Sequence, residues 1–392
     1  MKRNLEAGNT AHEEAAKTYR EELLRLRRWL HSHPELSMQE RQTSRFIADY
    51  LEGLGIPCRI PGETGVIGTL MAGEALPTLA IRAEIDALPV CENTGLSFSS
   101  VYPGRMHACG HDAITAVVLS LAKLLSEHVE KLRYNIRFLF EPAEETGEGA
   151  RYLIANGAFE EPRPEAVLIF HFANQETRSM EIQQSISTAA VGGLQIHVSG
   201  KASHWSQRSD GIDALYAASR AVVAIHEINE GFQTQFPFVL GFGRMEAGTG
   251  GNIMAADAQL KGSLRAFTEG DFEAVLQELD QRLAQISGET GADIRLELTK
   301  KIPPIINDAA LVKKGARIGR KLFGDQFFIG EKPFLVGDNA ACYMQQIPGM
   351  RCVFLAGKAG QTVYPIHNPG FDIDESVMED ALHFLYRFCC EG

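Results

Sequence analysis

Apolar residues recur three and four positions apart near the start of the chain, then gather into short runs and alternating stretches. In "EEAAKTYREELLRLRRWLHSHPEL" the positions Leu23, Leu24, Trp29 and Leu30 predict a helix that Pro34 ends. "ERQTSRFIADYLEGLG" predicts a second helix. "TLAIRAEIDALP" and "NIRFLFEPAEE" read as strands running into polar turns. Between them "AITAVVLSLAKLLSEHV" reads as an amphipathic helix with Ile114, Val117, Val118, Leu121 and Leu125 on one face. "EAVLIFHF" and "RCVFLAGK" are further short apolar runs. Strands alternating with helices imply an α/β domain: a mostly parallel sheet flanked by helices.

The middle of the chain has a different rhythm. "VGGLQIHVSG" predicts a strand, "GIDALYAASRAVVAIHEI" a helix, and "FVLGFGRMEAG" and "NIMAADAQLKGSLRAF" two long strands. A helix, "DFEAVLQELDQRLAQI", and a last strand, "ADIRLEL", complete a βαββαβ order, the ferredoxin-like pattern. The α/β domain is therefore expected to be discontinuous, from 13–187 and 301–392. Residues 188–300 form a small inserted lid domain, and the polar, aperiodic residues 1–12 are expected to be disordered.

Composition narrows the partners. At 392 residues two domains are expected, and 45% apolar with 22% charged residues suits an ordinary globular chain. The net charge of −12 disfavours nucleic acid and anionic membranes. No apolar run reaches the ~20 residues that span a bilayer. The start of the chain lacks a signal-peptide core, so a cytoplasmic location is expected. Seven cysteines without paired spacing suit reduced thiols.

Potential ligand atoms cluster behind the strand-like runs. Asp86 follows "LAIRAEI", Glu144 and Glu145 follow "NIRFLF", His171 ends "VLIF", and His367 lies in "YPIHNPGF". Cys109 and His111 stand in "MHACGHD", just before a helix whose N-terminal dipole would favour a thiolate. The carboxyl ends of parallel strands share one edge, where ligands bind. A thiolate, three imidazoles and a carboxylate there suffice for two divalent ions, with a second carboxylate left to act as base. The competing readings are a nucleophilic Cys109 served by His111 or His107, and simple packing.

Six motifs in order, "WLHSHPELSMQE", "RAEIDALPV", "MHACGHD", "EPAEE", "GKASH" and "YPIHNPGF", resemble the aminoacylase-type dinuclear metallopeptidases and amidohydrolases. The likeness runs from about residue 25 to 385. The branch it resembles holds hippurate hydrolases, auxin–amino-acid conjugate hydrolases and N-acetyl-diaminopimelate deacetylases. It implies hydrolysis of N-acyl amino acids, small-molecule substrates, to a carboxylic acid and a free amino acid. It also implies two divalent ions, zinc or manganese first and cobalt or nickel next. Metal ligands fall on Cys109, His111, Glu145, His171 and His367, the general base on Glu144, and a supporting carboxylate on Asp86. His107 is expected to stand behind the ligands. In the lid, His204 resembles an oxyanion-stabilising histidine, while Asn252 and Arg265 resemble residues that meet the substrate carboxylate. Relatives pair through the lid, so a homodimer is also implied, in which His204 would serve its own or a partner's site.

Four departures from the family pattern bear on specificity. Glu84 stands where aspartate is usual, Glu141 where glutamine is usual, and Arg208 where proline is common. "GDNAA" (Gly337 to Ala341) replaces a Ser-Glu-Asp-Phe-Ala pattern expected near the substrate pocket. They leave the acyl group and amino acid open without touching an implied ligand. An inactive relative that binds small amides is the non-enzyme alternative.

Overall fold

The computed structural model describes residues 20–357 and 362–392. The disorder expected for residues 1–12 lies outside them. Two compact units emerge, one comprising the chain up to Ser187, residues 306–332 and 339–392, the other 188–305 and 333–338.

The first unit opens with helices α1 (Arg20–Ser32) and α2 (Arg41–Gly53). Its strands are β1 (Cys58–Arg59), β2 (Val66–Leu70), β3 (Thr78–Glu84), β4 (Asn135–Glu141), β5 (Pro164–Ala173) and β6 (Ser179–Gln183). After the second unit the chain returns with β11 (Phe327–Gly330) and β12 (Gly349–Leu355). The eight form one sheet in the order β1-β2-β4-β3-β5-β12-β6-β11. β4, β3, β5 and β12 run parallel side by side, so their carboxyl ends share an edge. β2 pairs antiparallel with β4, and β12 antiparallel with β6. β3, β4 and β12 are buried at every residue, which is why they read as unbroken apolar runs rather than alternation.

Helix α3 (His111–Ser126) departs from the amphipathic expectation. Nearly all of it is buried, because β3 covers one side while α1 and the helix Val377–Cys390 cover the others. The buried stripe of α1 also differs from the predicted one. Leu23, Leu26 and Leu30 share it with Arg27 and His31, whereas Leu24 and Trp29 are half-buried.

The second unit contains β7 (Ala190–Ser199), helix α4 (Ala214–Gly231), β8 (Phe238–Ala247), β9 (Asp257–Ala266), helix α5 (Glu269–Thr290) and β10 (Asp293–Ile302). Its antiparallel sheet has the order β10-β7-β9-β8. β7 alternates between buried and half-exposed residues because one face packs on the helices. Leu194, Ile196, Leu260 and Leu264 from the sheet meet Ala217, Ala221, Phe272, Leu279 and Leu283 in a core of their own. Two boundaries differ from the sequence reading. β9 starts at Asp257 rather than near 252, and the unit extends to 305 and gathers in 333–338. That segment is held by a bridge between Thr188 and Phe334 and by the Ala189 N–H, which donates to the Val336 carbonyl at 3.0 Å.

All seven cysteines are free. Among the described residues no helix is long and apolar enough to cross a membrane.

Candidate metal centre

The shared strand edge brings the candidate ligands of the first unit together. Asp86 lies two residues beyond β3, Glu144 and Glu145 just beyond β4, and His171 near the carboxyl end of β5. Cys109 precedes the first residue of α3, His111. His367 comes from the far end of the chain, yet its N–H donates to the Ala108 carbonyl at 2.7 Å, beside Cys109. Its φ of 67° is left-handed, a conformation a non-glycine residue adopts only when its surroundings hold it.

Three overlapping groups of potential ligand atoms lie within 4.8 Å of one another: Cys109 with His111 and His171, Cys109 with Glu145 and His367, and His111 with Glu144 and Glu145. The Cys109 Sγ is 3.7 Å from His171 Nε2, and His367 Nε2 is 3.4 Å from Glu145 Oε2. His111 Nδ1 donates to the Asp86 carbonyl at 2.9 Å and faces Asp86 Oδ1 at 3.2 Å. With Nδ1 so engaged, Nε2 is the nitrogen turned to the cluster, and it is buried with no hydrogen-bond partner among the described residues. The same holds for Glu145 Oε1. Buried acceptors converging without donors are what a cation would satisfy, and this mixture of sulfur, nitrogen and oxygen suits a borderline divalent ion.

Burial pushes the Cys109 thiol up to about 12, and the neighbouring His111 lowers it too little to compensate. A bound cation would favour the thiolate. Burial also disfavours charge on His111, yet its contacts with Cys109 and Asp86 hold it well above the ordinary histidine value. Asp86 is buried too, but the bonds from His111, Ser37 and the Glu145 N–H keep its carboxyl below the usual value. His107 is buried and pushed down to about 4 by that burial, so it stands as a neutral ring.

The adjacent glutamates sit on a tight turn. β4 ends at Glu141, Pro142 follows, and Ala143 takes a left-handed φ of 51°. The Ala143 carbonyl accepts from the N–H groups of Glu148 and Gly149 at 3.1 and 3.2 Å. Gly149 is needed there, since a Cβ would lie 1.7 Å from the Pro142 carbonyl oxygen. The turn breaks the alternation of the strand, so both carboxylates reach the cluster around His111.

Three of the four sequence departures meet at a single buried residue. Arg82 donates to Glu141 at 2.9 and 3.1 Å, to Asn339 at 3.0 Å, and to Glu84 through a short contact. Glu84, Glu141 and Asn339 are themselves buried, so they belong to the interior of the first unit rather than to a substrate surface. No signal in one sequence joins positions 82, 84, 141 and 339. Arg208 lies in an exposed 3-10 turn, Trp205–Asp210.

The remaining candidates lie in the second unit. His204 is exposed; its Nδ1 accepts from the Ser206 N–H at 3.2 Å, which caps that turn. Asn252 is exposed. Arg265, on β9, donates from Nη1 to the Leu335 carbonyl at 2.7 Å, so part of its guanidinium holds segment 333–338.

Comparison with known proteins gives consistent matches. The model of "Peptidase family M20/M25/M40" matches residues 80–391. The N-acetyl-L-cysteine deacetylase of Bacillus subtilis is 32% identical over 94% of this chain and 88% of its own. IAA-amino acid hydrolase ILR1-like 4 of Arabidopsis thaliana is 29% identical over 90% of this chain and 81% of its own. Among solved structures, the YXEP protein of Bacillus subtilis, described as a dinuclear metal binding peptidase, superposes with a TM-score of 0.82. It is 29% identical and covers 95% of this chain and 98% of its own.

Proposed function

The chain belongs to peptidase family M20/M25/M40 and is a metal-dependent amide hydrolase, and from that premise we propose that it cleaves N-acyl amino acids, or similar small amide conjugates, to a carboxylic acid and a free amino acid. The observation that supports this most is the turn after β4. It turns two neighbouring carboxylates toward the cluster around His111, whose Nε2 is buried without a hydrogen-bond partner among the described residues.

Cys109, His111, Glu145, His171 and His367 would hold two divalent ions, zinc or manganese by the chemistry of the set, with cobalt or nickel able to replace them. When bound, such ions lower the pKa of a water and polarise the amide carbonyl. Asp86 orients His111 by accepting from Nδ1. Glu144 takes the proton of the attacking water and passes it to the leaving nitrogen as the C–N bond breaks. His204 donates to the amide oxygen as negative charge grows on it. Arg265 and Asn252 receive the carboxylate of the amino-acid half. A cysteine-nucleophile reading would need Cys109 ionised, which its burial opposes, and it leaves Glu145, His171 and His367 without a task.

Metal-stripped protein, assayed on a panel of N-acyl amino acids with each of the four metals in turn, tests the reading. Turnover that needs added metal is expected; failure on the whole panel with every metal would refute the substrate class. Arg265→Ala should raise KM for N-acyl amino acids far more than for their amides.

A homodimer through the second unit is part of the proposal. β8 is a sheet edge exposing Val239 and Met245, and α4 exposes Leu215, Tyr216, Val222 and Val223. Sedimentation of the protein as a monomer at micromolar concentration would contradict it.

A further inference from the structure

The segment "ELSMQE" between α1 and α2 has no task in the reaction so far, yet it touches the catalytic turn from both sides. Glu40 occupies the N-cap position of α2, where a carboxylate ordinarily accepts from the first N–H groups of the helix. Here it makes no such cap. Glu35 does that work instead, accepting from the Gln42 and Thr43 N–H groups at 3.2 and 2.8 Å. The Glu40 side chain turns inward, fully buried. Its Oε1 accepts from the Ala143 N–H at 2.8 Å and its Oε2 from the Thr64 hydroxyl at 2.7 Å. A buried carboxylate is costly unless it is used. Three residues earlier, the Ser37 hydroxyl donates to Asp86 Oδ2 at 2.7 Å, and that same oxygen accepts from the Glu145 N–H at 3.0 Å.

Glu144 lies between these two anchored N–H groups. Ala143, held at a φ of 51°, is the residue whose backbone decides where Glu144 and Glu145 point, and a left-handed conformation is disfavoured for alanine. A buried acceptor aimed at its N–H opposes relaxation to an ordinary conformation.

We propose that Glu40 is a positioning residue for the Glu144–Glu145 pair: it fixes the Ala143 N–H on one side of the turn, while Ser37, acting through Asp86, fixes the Glu145 N–H on the other. The inference rests on the roles given above to Glu144 and Glu145. Its structural part, that the turn is held by Glu40, stands or falls independently of them.

The test uses metal-loaded protein and two readouts. In Glu40→Met, which keeps the bulk but removes the acceptor, amide hydrogen exchange in residues 142–147 should rise about tenfold over wild type. kcat should fall about a hundredfold with KM little changed, the scale of a small misplacement of a catalytic group. Glu40→Gln retains an acceptor for Ala143 and should keep most of both properties. Adding Ala143→Gly to Glu40→Met should recover about fivefold of the lost kcat, because glycine adopts this φ without strain. Wild-type exchange in Glu40→Met would overturn the proposal, whatever happens to activity. Equal losses in the Gln and Met variants, unrelieved by glycine, would also overturn it by marking a merely structural residue. If Glu40→Met does not fold, Thr64→Val, which removes the donor to Oε2, should still raise exchange in 142–147, and unchanged exchange there would count against the clamp. If the wild type hydrolyses none of the amide panel while the exchange pattern holds, the function proposed above fails and the clamp survives.

Discussion

Two glutamates in succession are given opposite work, and the turn that separates them makes that testable residue by residue. Glu144→Gln keeps shape and removes the proton acceptor, so turnover should fall 10²–10⁴-fold, about 3–5 kcal/mol of transition-state stabilisation. Its metal content should match wild type by elemental analysis. Glu145→Gln should instead bind metal weakly and regain part of its activity when metal is added in excess. Cys109→Ala and His367→Ala should likewise lose metal, and full occupancy in both would remove them from the ligand set. At this scale the sequence was legible where chemistry repeats in short motifs: the thiol and imidazoles of "MHACGHD" and the pair in "EPAEE" already point to a metal. Glu40, Arg82 and Asn339 were not legible. A lone glutamate at a helix start reads as an exposed cap, and only the folded chain shows that its carboxylate faces inward to Ala143.

Helix α1 illustrates what periodicity does and does not reveal at the scale of an element. Its spacing predicts a helix, but a hydrophobic pattern assigns Arg27 and His31 to solvent, and both are buried. Arg27 ties Asp112 of α3 at 3.2 Å to Asp372 at 2.6 Å, on the segment that follows His367. His31 Nδ1 meets Asp112 Oδ2 at 2.7 Å and its Nε2 meets Glu92 Oε1 at 3.3 Å, with Arg27 and His107 the nearby groups that oppose its charge. Burial alone would lower the His31 pKa; the charge and bond of Asp112 overcome that and lift it to about 9. Because the folded value exceeds the ordinary 6.5, the stabilisation is complete below about pH 6.5 and is lost as pH rises through about 9. Thermal denaturation of wild type should therefore lose about 3 kcal/mol across that interval, a slope that His31→Gln should flatten. The short strands β2, β6 and β11 escaped the sequence reading for a related reason. Each is five residues or fewer and pairs with at least one strand distant in the chain.

The molecule as a whole is two cores in one chain, and the second should stand by itself. The βαββαβ rhythm was readable because helices cover a single face of that sheet, leaving alternation in β7. Its limits were not, since segment 333–338 returns to it after a helix of the first unit. A fragment of residues 188–305 contains the whole of that core and should give a folded circular dichroism spectrum, whereas one ending at 300 cuts β10 before Ile302 and should be less stable. The strand order carries a consequence for the growing chain. β6 is made before the second unit, but its two sheet neighbours, β12 and β11, are made after it. During synthesis at roughly 5–20 residues per second, the earlier half of the first sheet must wait, with β5 and β6 unjoined, for the time taken to make more than a hundred further residues. The inserted unit, whose strands all lie within one continuous stretch, can close first. An exposed, incomplete apolar sheet waiting on a ribosome is a substrate for chaperones, so slowing translation after residue 305 should raise aggregation of this protein more than slowing it before residue 164.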